Sequence, residues 1–416
     1  MINPHMKAAQ KITATLFTVQ SLLTASIIAM ATVISIVGAE LSGDAKLAGV
    51  PSMTIQLSAA AAATVWGLLW DRIGRRNGLS IGLVIGVGGI SLSLVAVQLH
   101  SFPLFLGGLV GLGFARAAAQ LGRFVAAEVN PPTHRGRAIS YVVLGGTIGA
   151  VAGPLLVNPS LNWAEYIGWT KLAGPYALAI LLFGISILIV QIGLRPEPQL
   201  IGRKVADLFP EEQRPGGANR SLAQLLSNPG FIVAVTSMVL GQSAMVMVMG
   251  ITPLHMKDLG FFDAVPTAYM AHTIGMFAFS ILSGRLADRW GRGQLIISGA
   301  IILLLSTIIA PMYPNMFSIV GGLFLLGLGW NFCFVGGSAL LADQLSFSER
   351  TRFQGYNDLL VSLSAAASSL SSGFIYAGAG YGALNLAAAI ISLVPLLLTL
   401  WWYFQWYRPQ LELAAQ

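Results

Sequence analysis

Three polar side chains interrupt the apolar run at 103–127: Arg116, Gln120 and Arg123. Their spacing of i, i+4 and i+7 puts them on one face of a helix. A guanidinium inside an apolar segment is costly to place, and it faces either a bundle interior or a water-filled cavity. Two readings follow. The face contacts an anionic or polar solute, or it closes an internal salt-bridge network in which Arg123 reaches Glu128 or Asp71. Arg116 lies about 13 residues along the run, roughly 20 Å at 1.5 Å per residue, and is expected past the middle of a ~30 Å hydrocarbon layer.

Other candidates are sparser. No carboxylate falls in the middle of an apolar run, since Glu40, Glu128, Asp343 and Asp358 all lie near ends. His272 is the one histidine well inside a run and is the candidate for ion coupling, against the reading of a hydrogen-bonded core residue. Met238, Gln242, Met245 and Met249 share a helical face, which suits an adaptable apolar cavity or plain core packing. Gln20 and Gln56 are further polar groups for a cavity wall. Soft-metal binding by these methionines with His255, His272 or Cys333 is weakened because Met245, Met247 and Met249 spread over several faces. No metal site, cofactor, P-loop or nucleophile–base pair is read, and the chain is not expected to be an enzyme. The glycines at 107, 108, 111 and 113 imitate part of a dinucleotide fingerprint without its strand–helix setting, so helix packing is the better reading.

The elements that position these residues follow from composition. Of 416 residues, 55% are hydrophobic and 9% charged, against about 25% charged in soluble domains. Apolar runs suggest spans at 12–39, 51–70, 79–98, 103–127, 138–157, 173–194, 230–253, 265–286, 294–313, 316–342, 355–376 and 383–406. With the N-terminus inside, eighteen of the 23 Lys and Arg fall on cytoplasmic segments and three on the other side. That asymmetry orients the chain with both ends cytoplasmic, and it accounts for the net charge of +7 without nucleic acid. The fold class is all-α, with twelve transmembrane helices. The stretch 196–228, rich in Pro and Gly, is read as a linker between halves 1–195 and 229–416, with a short surface helix at 203–209 or a disordered connector as its two forms.

A charged loop is written twice. Gly67-Leu-Leu-Trp-Asp71-Arg72-Ile-Gly74-Arg75-Arg76 recurs about 217 residues later as Gly284-Arg-Leu-Ala-Asp288-Arg289-Trp-Gly291-Arg292-Gly293. A second landmark repeats at a similar offset: Glu128 with Arg135, and Asp343 with Arg350. Two halves around a midplane site is a common design of secondary transporters.

The loop resembles the G-x-x-x-D-R-x-G-R-R motif of the major facilitator superfamily. The resemblance covers essentially the whole chain and implies two pseudo-symmetric six-helix bundles working by alternating access. It further implies a cytoplasmic gate, with Asp71 facing the start of the eleventh span at Tyr356–Asp358, Arg75 paired with Glu128, and Asp288 and Arg292 mirrored with Asp343. The alternative is that these residues only anchor the loop on the positive-inside face. The family's fourth-helix Arg aligns with Leu109, so no proton-relay role passes to Arg116. The repeat places Asn331 and Ser338 opposite Arg116 and Arg123, with Trp330 and Asn331 as cavity groups. In the fifth span Gly145-x-x-x-Gly149-x-x-x-Gly153-Pro154 resembles part of the exporters' antiporter motif, although Val157 and Asn158 stand where its closing glycines would be; generic helix packing is the other reading.

The expectation is a monomeric secondary transporter in the inner or plasma membrane that exports a small organic solute, with an anionic lean from Arg116. H+ or a counter-transported ion is its expected coupling partner. The alternatives are a proton-coupled multidrug exporter and, in another class, a non-transporting membrane sensor or assembly factor.

Overall fold

The computed structural model describes residues 4–131, 134–208 and 220–407. Among the described residues every regular element is a helix. The chain divides into two compact units, Met1–Arg214 and Pro215–Gln416. Eleven helices are long and apolar enough to cross a membrane.

The first unit holds spans one to six: Pro4–Ala31, Val50–Ile73, Arg75–Gln98, Phe102–Glu128, Arg135–Leu155 and Gly174–Gly193. The apolar run 12–39 is not one span. It breaks at Thr32–Val33 and continues as a separate helix, Ile34–Ser42, the Thr32 hydroxyl bonding the Ala29 carbonyl at the break. The second unit holds spans seven to ten: Pro229–Asp258, an eighth span in two pieces (Val265–Phe277 and Ser280–Trp290), Arg292–Ile309 and Met316–Gln344.

The last helical stretch, Phe347–Trp402, contains two spans rather than one. Gly380 interrupts it with φ 78° and ψ −178°, a region of backbone space that is essentially closed to residues with a Cβ. Phe353 and Trp402 share one core cluster. A straight helix would hold residues that far apart by roughly 70 Å, so the chain reverses at Gly380. Twelve crossings result.

Lipid offers helices little hydrophobic reason to associate, so close packing of small residues has to do it. In the first unit Gly145, Gly149 and Gly153 of the fifth span lie on the first span's backbone, where added Cβ atoms would run into the carbonyl oxygens of Phe17, Ser21 and Ala25. The exporter-like glycine pattern thus has a packing role, and Pro154 closes it as a buried residue inside the helix. Spans three and four meet in the same way: a Cβ on Gly89 would come within 2.5 Å of the Gly108 carbonyl. In the second unit Gly275 and Gly327 bring spans eight and ten into backbone contact. Cys333 is buried between spans nine and ten, beside Gly299 and the Ile296 carbonyl.

The stretch after the sixth span is ordered into a helix, Pro198–Leu208, rather than the shorter 203–209; Phe209 lies outside the described residues. Its Ile201 and Val205 are buried in the first unit.

Replacing Gly149 with Leu is expected to destabilise the protein by about 1–3 kcal/mol, the usual range for overpacking. Gly184 has open space around its missing Cβ, so Gly184→Leu should stay within ~0.5 kcal/mol of the parent. Thermal unfolding in detergent compares the two.

Candidate functional site

The repeated loop shows why its residue types recur. Gly74 (φ 84°, ψ 164°) and Gly291 (φ 99°, ψ 153°) each end one span and cap the next in the same Gly-favouring conformation. Gly67 and Gly284 have open space where a Cβ would sit, so packing does not require glycine there. Arg72 is exposed, and the side chain of Asp71, in the last turn of the second span, lies outside the described residues.

Arg75 Nε lies 2.9 Å from Glu128 Oε2, a pair only 19% and 29% exposed. The corresponding Arg292 Nε lies 3.1 Å from Asp343 Oδ2, and its Nη1 is 3.1 Å from Asp288 Oδ1. These acids are more open, at 50% and 75%. Exposed pairs contribute about 0–1 kcal/mol, so the first unit's pair is the firmer. Asp358 is exposed on the eleventh span.

Two acids that the sequence reading passed over hold these corners. Glu197 Oε1 accepts from the backbone N–H groups of Arg75 (2.7 Å) and Arg76 (3.1 Å). It therefore sits as an anion on the third span's N-terminus, where free N–H groups and the helix dipole favour negative charge. Its neighbour helix lays Gly202 against Glu128, with no room for a Cβ. In the second unit Glu349 is fully buried and bonds Arg220 through Nη2 (2.7 Å), Nε (3.0 Å) and the backbone N–H (2.8 Å). Arg220 Nη2 also donates to the Gln344 carbonyl at 2.6 Å, and Glu349 accepts from the Ser346 N–H at 2.9 Å. This clasp ties the end of the linker stretch to the loop between spans ten and eleven.

The mid-span residues divide sharply. Arg116 stands near the middle of the helix Phe102–Glu128, one residue past its midpoint at 115. Its Nη1 donates to Gln56 Oε1 of the second span at 2.8 Å. Among the described residues that neutral amide is its one hydrogen-bond partner, and no carboxylate pairs with it. Gln120, on the same face, is exposed. Arg123 lies over the Phe124 ring at 4.9 Å. In the first span Gln20 Nε2 donates to Thr24 at 3.2 Å.

Asn331 is used differently from the expected cavity group. It is buried, and its amide donates to the Met276 carbonyl (2.6 Å) and Ser280 Oγ (3.0 Å) while accepting from Ser283 Oγ. The break in the eighth span frees that carbonyl, and Asn331 bridges the gap. Trp330 stays half-buried, its Nε1 donating to Gln242 Oε1 at 2.8 Å and its ring stacked on Phe334 at 4.8 Å. Met238, Met245 and Met249 are buried in the second unit, while Gln242 is half-buried. His272 is buried with Nδ1 donating to the Leu323 carbonyl at 3.0 Å. Among the described residues no cluster of His, Cys, Asp or Glu could hold a metal.

The chain matches the sequence profile of the Major Facilitator Superfamily over residues 15–271 and 244–414. It is 36% identical over 381 residues to the uncharacterized MFS-type transporter YdeG of Bacillus subtilis (strain 168), covering 91% of this chain and 88% of that one. It is 29% identical to the riboflavin transporter RfnT of Brucella anthropi, covering 88% of this chain and 89% of that one. The crystal structure of nucleoside transporter NupG superposes with a TM-score of 0.68 at 18% identity, over 94% of this chain and 97% of that one.

The Arg220 guanidinium holds the Glu349 carboxyl well below the ordinary carboxylate value of 4.5. A depressed folded-state value stabilises the fold above the unfolded value and is lost as pH falls through the folded one. Glu349→Gln should therefore lower the thermal midpoint at pH 7. The difference from the parent should persist down to about pH 4.5 and shrink in stronger acid, as thermal unfolding followed against pH would show.

Proposed function

The chain belongs to the Major Facilitator Superfamily, and from that membership we propose a secondary transporter of the cell membrane that exports a small organic solute bearing an anionic or hydrogen-bond-accepting group. The observation that carries this reading is Arg116, a mid-span guanidinium whose partner is a neutral glutamine. A buried charge without a counter-charge is unfavourable. A solute oxygen or carboxylate arriving at Arg116 supplies a charge that no described residue bonded to it provides, and the absence of carboxylates from the middle of the apolar runs leaves a cationic solute without a counter-ion. The relative described as a riboflavin transporter makes riboflavin the first solute to assay. Export is the direction favoured by the fifth-span glycine pattern, and the cytoplasmic orientation of both termini by the positive-inside count.

The repeated loops, with Asp71, Arg75 and Glu128 in one half and Asp288, Arg292 and Asp343 in the other, are proposed as the inner gate of the cycle.

Uptake and efflux of riboflavin and a panel of organic anions and cations in proteoliposomes under an imposed pH gradient test the reading. Arg116→Ala should reduce anion transport tenfold or more, in line with about 1.5–3 kcal/mol for a hydrogen bond to a charged group. If it handled anions and cations as the parent does, the anionic reading would fall. A folded protein that moves nothing in either direction would favour the sensor class.

Asp71→Asn should impair transport while membrane insertion and thermal stability stay normal. Unchanged transport would remove the gate role.

A further inference from the structure

Three titratable side chains from two spans stand in line near the far end of the seventh span. Tyr376 Oη donates to Asp258 Oδ2 at 2.5 Å, and His255 Nδ1 lies 3.4 Å from the same Tyr376 oxygen. A phenol has one proton to give. Since Tyr376 gives its proton to the carboxylate, its oxygen can only accept from the imidazole. The protonated ring nitrogen is therefore Nδ1, and Nε2 carries the basic lone pair. The chain of donors runs from His255 through Tyr376 to Asp258.

The same imidazole lies flat on Tyr381, with centroids 4.0 Å apart and planes 12° from parallel. Tyr381 is buried, its hydroxyl bonded to Thr252 at 2.9 Å and its carbonyl to Asn385 Nδ2 at 2.9 Å. Tyr376 and Tyr381 flank the reversal at Gly380. One histidine on the seventh span thus touches both arms of the hairpin formed by the last two spans.

We propose that His255 is a proton-binding site of the transport cycle, with Asp258, reached through Tyr376, as its counter-charge. A proton from solution adds to Nε2 and makes the imidazolium. Its positive charge is met by the Asp258 carboxylate through the Tyr376 hydroxyl and by the electron-rich face of Tyr381. Both interactions strengthen on protonation, so the proton tightens the seventh span's hold on the hairpin, and its release loosens it. With the termini cytoplasmic, this end of the span faces the outer solution. His272, the coupling candidate suggested by sequence, instead gives its Nδ1 proton to a backbone carbonyl. Besides Lys257 and Asp258 on its own span, the elements packed against this end carry Asp263 on the following turn, Tyr269 on the eighth span, and Tyr376 and Tyr381.

The inference rests on the transporter reading, and two measurements separate their failures. The first needs no solute. Imidazole NMR titration of the purified protein, with its five histidines, should show one signal that disappears in His255→Asn. That signal should move its midpoint to lower pH in Asp258→Asn, which removes the counter-charge, and in Tyr376→Phe, which breaks the link. A His255 signal whose midpoint ignores both substitutions overturns the proposal. The second follows proton movement with an entrapped pH dye while riboflavin or the best anion of the panel is transported. The parent should move protons with solute; His255→Asn should lose the solute-linked proton signal and flatten the pH profile, with solute binding retained. Proton movement and a pH profile equal to the parent's in His255→Asn overturn it as well. A parent that titrates as expected yet moves no solute would overturn the transporter reading and leave the protonation site standing.

Discussion

Backbone-to-backbone contact between helices is the constraint on which the fold rests. In water, burying apolar surface would press the helices together, but lipid tails are as apolar as leucine, and that force is missing. What remains is dispersion, which falls away quickly as atoms separate. The helices therefore approach until carbonyl oxygens of one lie where a Cβ of the other would stand, as at Gly149 over Ser21 and Gly327 over His272. Glycine at those positions is what lets the backbones meet. Tight contacts in turn fix the depth at which side chains such as Arg116 and Trp330 stand along their helices.

A second constraint follows from the first. In helices packed this closely, buried backbone groups have to find their partners within the protein. Asn331 is the clearest case: a broken eighth span exposes the Met276 carbonyl, and one buried amide binds it together with two serines. Glu197 does the equivalent at the start of the third span, and Glu349 at the loop before the eleventh. Each acid meets backbone N–H groups or a guanidinium that would otherwise be stranded.

The spans and the repeated loop were legible because they rest on local signals: hydropathy, charge placement, and glycines at a fixed offset. The Arg75–Glu128 and Arg292–Asp343 contacts follow the same repeat. Other features have no local signal. The break near Phe279 lies 13 residues past the run's one proline, Pro266, which sits in the first turn of the helix, and only the fold brings Asn331 to the break. Glu197 sits in a stretch whose prolines and charges read as a connector, while its partner is 122 residues away. Arg220 and Glu349 are 129 residues apart, within segments that look like solvated loops. The face of Met238, Gln242, Met245 and Met249 has a periodicity that fits an adaptable cavity or plain core packing, and periodicity marks one side of a helix without saying whether neighbours cover it. Here they cover the methionines.

The cations divide into those paired at the ends of spans and the one set in mid-span. Arg75, Arg220 and Arg292 each hold a carboxylate within about 3 Å, at the ends of spans. Their charges are compensated within their own unit and serve its shape. Arg116 is placed deeper, where an unpaired charge is most unfavourable, and yet its partner carries no charge. The geometry of Gln56 gives this a purpose. One amide oxygen orients the guanidinium with a single hydrogen bond, while four of its five N–H donors stay uncommitted to Gln56. A glutamate at position 56 would make a stronger pair and leave nothing for a solute to gain. A neutral positioning group keeps the arginine in place and keeps its charge available, as the anion-binding role proposed for Arg116 requires.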